Sequence, residues 1–205
     1  MLDKFELILA SASPRRSELL GHLNIDFKVH ISHVKEECEF TKASDVVQEL
    51  ARIKAYDIYE SIKDKYENPL VVGADTVVVY NNEILGKPKT KKEAKETLDK
   101  LSGTRHEVLT GVSIVSADIK AQFYRKTFVQ FKDLAQEEID IYLKSDDCMD
   151  KAGSYGIQGQ AQIFIDSIEG SYSNVVGFPI ADFIVEMKKL LRVSNLSSSF
   201  RNLNL

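Results

Sequence analysis

Apolar and polar positions fall into blocks whose period changes along the chain. Residues 5–10 form a short continuous apolar run and read as a buried strand. Ser13 then stands where a helix N-cap belongs, with Pro14 at the first helical position, and the spacing predicts a helix to about Leu23. Asp26–Ile31 reads as a second strand. A helical period then predicts a long helix, capped by Ser44 or Asp45 and running to about Ile62. LVVGADTVVVY, residues 70–80, is the strongest strand pattern in the chain. Thr90-Lys91-Lys92-Glu93 is a capping box for a helix that closes near Leu101, with Gly103 after it. His106–Ala117 and Gln122–Phe131 read as a strand pair, and Glu137–Lys144 as a helix. DKAGSYGIQG, residues 150–159, reads as a loop, 161–168 as a strand and Pro179–Leu191 as the last helix. Strands and helices alternate early and strands dominate the middle, which predicts an α/β (mixed α+β) fold with a mixed sheet. No repeat or linker interrupts residues 1–192, so they read as one domain, and the Ser/Asn-rich stretch 193–205 reads as a flexible tail.

Several places break these local rules. Two arginines, Arg15 and Arg16, sit at the start of the first helix, where the dipole disfavours cations. They are either solvated or wait for an anion, which the free N–H groups of a strand-to-helix turn around Ser11 would also bind. Asp75 interrupts a valine strand. Alternation places it with Val71, Gly73, Val77 and Val79 on one face, and Val72, Ala74, Thr76 and Val78 on the other. A carboxylate there either caps a turn or works as an acid/base or metal-binding group. Gly73 allows something to approach the backbone closely. Lys54 interrupts the apolar stripe of the long helix, so it either snorkels to water or points at an anion in a cleft. Lys87 projects from the Gly86–Pro88 turn. Gln158, in the glycine-bearing loop, offers an amide donor and acceptor together. Glu36 lies in an acidic run that is either solvated surface or a source of an oxygen ligand to Mg²⁺. His106 reads as a packed or hydrogen-bonded strand residue rather than a base.

Composition narrows the function classes. With 43% hydrophobic and 28% charged residues the 205-residue chain is ordinary for a globular protein. A formal net charge of −4 argues against general nucleic-acid binding. Cys38 and Cys148 are far apart and no Cys/His cluster occurs, which points to reduced thiols in a cytoplasmic protein without structural zinc. No run approaches the ~18 apolar residues of a membrane span, and the N-terminus lacks the features of a signal peptide. The cations Arg15, Arg16, Lys54 and Lys87 suit a polyphosphate, and the carboxylates Glu36 and Asp75 suit a divalent metal or a base. The chemistry suggested is metal-assisted attack on a phosphoanhydride, without the GxxxxGK[ST] loop of P-loop enzymes.

LASASPRRSELL, VVGADTVVV, LGKPKTKKEA, LSGTRHEVLTGV, DKAGSYGIQG and NVVGFP, in that order, resemble the Maf family of nucleotide pyrophosphatases. The resemblance runs from about residue 7 to 190. It implies a curved mixed sheet flanked by helices, a Maf/inosine-triphosphatase-like fold with two lobes around a long cleft, and a homodimer. It implies hydrolysis of a nucleoside triphosphate to the monophosphate and pyrophosphate with a divalent metal, Mg²⁺ or Mn²⁺. In that light Asp75 matches the catalytic acid, with Lys54 and Lys87 beside it in catalysis. Ser11, Arg15, Arg16, Lys54 and Lys87 match phosphate-facing positions, while Glu36 and Asp75 match the metal ligands. Arg15, Thr76 and Gln158 match the branch acting on dTTP and UTP, and the IQG of GSYGIQG is that branch's mark. The alternatives are the branch acting on 7-methyl-GTP, and a nucleotide-binding regulator of cell division with little turnover.

Overall fold

In the computed structural model, which describes residues 5–193, the apolar runs assemble into one mixed sheet. β1 (Glu6–Ala10) leads into α1 (Pro14–Gly21), then the short β2 (Lys28–His30) and α2 (Ala43–Ile62). β3 (Pro69–Tyr80) turns back through Asn81 and Asn82 into β4 (Glu83–Leu85), and α3 (Lys91–Leu101) follows. β5 (Arg105–Val115) and β6 (Lys120–Phe131) come next, then α4 (Gln136–Tyr142), β7 (Ile165–Glu169), α5 (Tyr172–Val176) and α6 (Ile180–Val193). The strand order is β2-β1-β3-β5-β6-β7, with β4 paired to β3. β1 is parallel to both β2 and β3; the other pairs are antiparallel. The α/β expectation holds as an open mixed sheet flanked by helices.

β3 is buried on both faces because its valines have partners on each. On one face α2 lies close against β3 and β5. A Cβ on Gly73 would overlap Ala51 O and sit 2.9 Å from Ala55 N, and one on Gly111 would sit 2.7 Å from Gln48 N. Only glycine admits the helix backbone there. On the other face two apolar clusters form. One gathers Leu7, Leu9, Val72 and Ala74 under α1 and α6. The other gathers Val78, Val108, Val129 and Phe131 under α3 and α4. Between them runs a buried polar seam of Thr76, Thr110, Thr127 and Asn174.

The elements differ from expectation at a few points. α2 starts at Ala43 with Lys42 at the N-cap, so Ser44 and Asp45 lie in its first turn rather than capping it. Thr90 does cap α3, accepting from Glu93 N at 3.1 Å, but Glu93 accepts from Lys89 N one residue early. The strand expected at 161–168 is half wrong. Gln160–Phe164 is a 3₁₀ turn and only Ile165–Glu169 is strand. The buried pair there, Ala161 and Phe164, is spaced by three, the 3₁₀ period. The hairpin strand β4 and the short α5 were not expected. Asn81 and Asn82 both have positive φ (48° and 64°), as a tight two-residue hairpin turn demands. The tail expected at 193–205 lies outside the described residues beyond Val193.

Candidate active site

The site originates in a mismatch of strand lengths. β1 ends at Ala10, opposite Gly73, and the antiparallel β4 ends at Leu85, opposite Val78. Both lie on the same side of β3, so among the described residues no strand pairs that edge over residues 74–77. A cavity of about 350 Å³ occupies the gap, and all nine expected site residues line it. Because side chains alternate, Asp75 and Thr76 reach it from opposite faces of the sheet.

Asp75 faces α2. Lys54 Nζ donates to its Oδ1 at 2.6 Å and pairs with Glu36 at 3.0 Å. The Lys54 and Asp75 side chains are 13% and 12% exposed, while Glu36 is 53% exposed. Of the two readings of Lys54, the structure selects the cleft, and the anions it meets are the protein's own carboxylates. The Gly73 contact is what brings α2 near enough for this pairing.

Ser11 follows β1 and accepts from Ser13 N (3.1 Å) and from Arg16 Nη1 (3.2 Å). Ser13 caps α1 by position but makes no side-chain cap bond. Arg15 pairs with Asp150 at 3.3 Å. Arg16 is largely engaged by the protein: Nε donates to Gly177 O (2.9 Å) and Nη2 to Thr76 Oγ1 (3.1 Å). Desolvation by burial pulls its guanidinium below the usual value, against the pull of Asp75 and with the push of Arg15. Of its five N–H groups three are thus spent, which leaves two for a ligand. Lys87 projects from a turn pinned by Gly153 N, which donates to Gly86 O at 3.1 Å. Gln158 is exposed on the cavity wall.

The cavity lining is of mixed character. Asp75, Lys54, Glu36 and Ser32 contribute polar groups, Val78, Val108, Tyr155, Ile157, Val175 and Val176 contribute apolar wall, and Arg15, Arg16, Lys87, Asp150 and Lys151 add further charge. Tyr155 carries the apolar wall. Its hydroxyl is 2.7 Å from His106 Nε2, and both rings meet Phe131 edge-on. Burial lowers the His106 pKa to about 4 and raises the Tyr155 phenol. His106 is therefore the packed, hydrogen-bonded residue expected of it. Sequence reasoning missed Asp150 and Lys151, whose Nζ donates to Asp147 O (2.6 Å) and pairs with Asp147 and Asp150 (both 2.7 Å). Both stood in the glycine-bearing loop, where only Gln158 attracted notice. Tyr155 and Thr110 were also missed, since one buried aromatic or one strand threonine gives no signal.

Among the described residues no group of three or more His, Cys, Asp or Glu side chains gathers at metal-binding spacing. Two carboxylates, Asp75 and Glu36, converge on one ammonium. That oxygen-only pair fits Mg²⁺, which takes one or two carboxylates and completes its shell with water and phosphate oxygens. No helix among the described residues is long and apolar enough to cross a membrane.

Fold and cavity together define an α/β protein with a cleft cut into its sheet, lined by both charged and apolar side chains. Residues 6–190 match the family described as Maf-like protein, and the chain belongs to that family. It is 47% identical over 185 residues to a dTTP/UTP pyrophosphatase of a Geobacillus species, covering 90% of this chain and 98% of that one. Proteins of the same name from Bacillus cereus and Bacillus mycoides are 48% and 46% identical, each covering 90% of this chain and 95% of theirs. Likeness to solved structures is weaker. The Ham1 protein of Staphylococcus aureus gives a TM-score of 0.43 at 17% identity, covering 62% of this chain and 72% of that one. A nucleoside-triphosphatase (dITP/XTP pyrophosphatase) of Mycobacterium abscessus gives 0.42 at 12%, covering 94% and 100%.

Proposed function

We propose that this chain is a nucleoside triphosphate pyrophosphatase that hydrolyses dTTP and UTP, and modified pyrimidine nucleotides, to the monophosphate and pyrophosphate. The observation that carries the reading is the Asp75–Lys54–Glu36 cluster in a cavity that also has apolar wall to receive a flat base. The names of its Maf-family relatives support the same reaction and substrates. The triphosphate lies toward Lys54, Lys87, Arg15 and the N–H groups opening α1, with Ser11 and the free N–H groups of Arg16 beside them. Asp75 takes the proton of a water attacking the α-phosphorus, and pyrophosphate leaves. Lys54 holds that carboxylate in place and shields the charge that develops on the phosphoryl oxygens. Glu36 and Asp75 are the residues that would hold Mg²⁺ or Mn²⁺, which when bound supplies Lewis-acid polarisation of those oxygens. Thr76 and Gln158 meet the base. Residues 1–192 work as one domain, and the protein acts in the cytoplasm as a homodimer.

The test is a panel of dTTP, UTP, dCTP, CTP, GTP, ATP, ITP and 7-methyl-GTP, with Mg²⁺ or Mn²⁺ and with chelator. The expected result is monophosphate and pyrophosphate from dTTP and UTP, lost on chelation. Turnover centred on 7-methyl-GTP overturns the roles given to Arg15, Thr76 and Gln158. Tight binding without turnover makes the protein a regulator instead.

A further inference from the structure

The polar seam beneath the cavity fixes the direction of one proton. Thr110 is fully buried and its Oγ1 lies 3.0 Å from Asn174 O and 2.9 Å from Thr76 Oγ1. A carbonyl oxygen only accepts, so the single Thr110 proton goes to Asn174 O. The hydrogen bond to Thr76 then has one possible polarity, with Thr76 donating and Thr110 accepting. Thr76 Oγ1 also accepts from Arg16 Nη2 at 3.1 Å. Its proton and one lone pair are thus used, and what it offers the cavity is a single acceptor.

We propose that Thr110 is a positioning residue that holds Thr76 as an acceptor-only contact, and that this contact selects a pyrimidine with an imide N–H over cytosine. The inference rests on the proposed reaction and names the device behind its base preference. Thr76 shares its sheet face with Val78 and, through the strand pairing, with Val108, so it stands beside apolar wall of the cavity, where a base fits. Uracil and thymine present a donor at N3; cytosine presents an acceptor there, which would face the Thr76 lone pair. Gln158 cannot make this distinction alone. Among the described residues no hydrogen bond fixes its amide, which turns over to suit either base. A contact of fixed polarity is what rejects the wrong partner.

The test is Thr110→Val, which keeps the shape and removes the acceptor. Asn174 O retains its hydrogen bond from Gly177 N (3.0 Å), so no buried carbonyl is orphaned. The Thr76 proton then becomes free to turn toward a ligand. The UTP:CTP ratio of kcat/KM is expected to fall about tenfold, with CTP turnover rising in absolute terms, and Thr110→Ser is expected to restore the ratio to within about twofold. Simple loosening of the site lowers both substrates together and does not reproduce the rise with CTP. An unchanged ratio in folded Thr110→Val overturns the proposal and leaves the pyrophosphatase reading intact. Should that variant not fold, the unaltered protein decides with 3-methyl-UTP, which lacks the N3 hydrogen. Its hydrolysis at the rate of UTP overturns the proposal and its rejection supports it. Absence of UTP turnover in the unaltered protein overturns both readings.

Discussion

Replacing Gly73 by alanine tests whether the closeness of α2 to the sheet builds the site. The added Cβ overlaps Ala51 O and lies 2.9 Å from Ala55 N, both backbone atoms of a helix that cannot yield locally. Ordinary Cβ contacts begin near 3.4 Å, so α2 must lift from β3 by roughly 1 Å. Overpacking of this kind costs about 1–3 kcal/mol. For a chain of this length each kcal/mol lowers Tm by about 2–4 °C, so a drop of roughly 5 °C is expected. The same lift carries Lys54 away from Asp75, whose contact is now 2.6 Å. A misplacement near 1 Å in a catalytic constellation costs about 10²-fold. The expected outcome is therefore a moderate loss of thermal stability with a disproportionate, roughly hundredfold loss of kcat/KM for UTP. Calorimetry and steady-state kinetics on one preparation measure both. Wild-type kcat/KM in Gly73→Ala would refute the claim that helix approach sets the Lys54–Asp75 geometry.

Two other predictions concern single groups. Asp75→Asn keeps the size and removes the proposed base, so kcat is expected to fall at least about 10³-fold while calorimetric UTP affinity changes less than about threefold; retained turnover would remove Asp75 from its role. His106 has a pKa of about 4 in the folded protein against 6.5 ordinarily. Between those values the unfolded chain binds a proton that the folded one refuses. Stability from this group is thus full above 6.5 and is lost as pH falls toward 4, by up to about 3 kcal/mol. Urea unfolding of wild type and His106→Gln between pH 7.5 and 4.5 measures it, and equal acid slopes for the two would show that His106 is not the group responsible.

What the sequence made legible are residues that contradict their surroundings. Asp75 among valines and Lys54 within an apolar helix face each violate a local pattern, and the structure pairs them. Gly73 was readable as a candidate for close approach, one of the few reasons, with bulges and bends, for a glycine inside a strand. The gap in the sheet was not readable. It depends on where β1 and β4 each stop relative to β3, and the register of one strand against another leaves no mark in either. Thr110 was invisible for a different reason. A threonine is at home in a strand, and its importance arises from a hydroxyl 34 positions earlier and a carbonyl 64 positions later. The failed half of the strand at 161–168 shows the converse: an apolar run with spacing of three mimics a strand when read by content alone.

The two faces of the sheet break their apolar pattern at the same level, and this explains why the site sits inside the sheet instead of on its rim. On the α2 face the break is Asp75 opposite Gly111; on the other it is Thr76 opposite Thr110, extended on the next strand by Thr127, which pairs with Val108 two residues along. A buried polar layer costs little only when its members satisfy one another. Here Arg16, Thr76, Thr110, Thr127 and Asn174 nearly do, and Asn174 Nδ2 adds bonds to Val108 O (3.0 Å) and Thr127 Oγ1 (3.1 Å). The layer separates two apolar clusters that would otherwise merge across the gap. Filling it with apolar side chains would strengthen the core and close the cavity at once. The polarity of the layer is therefore best understood as what keeps the gap open, and the order of its protons as what gives the open gap a preference among bases.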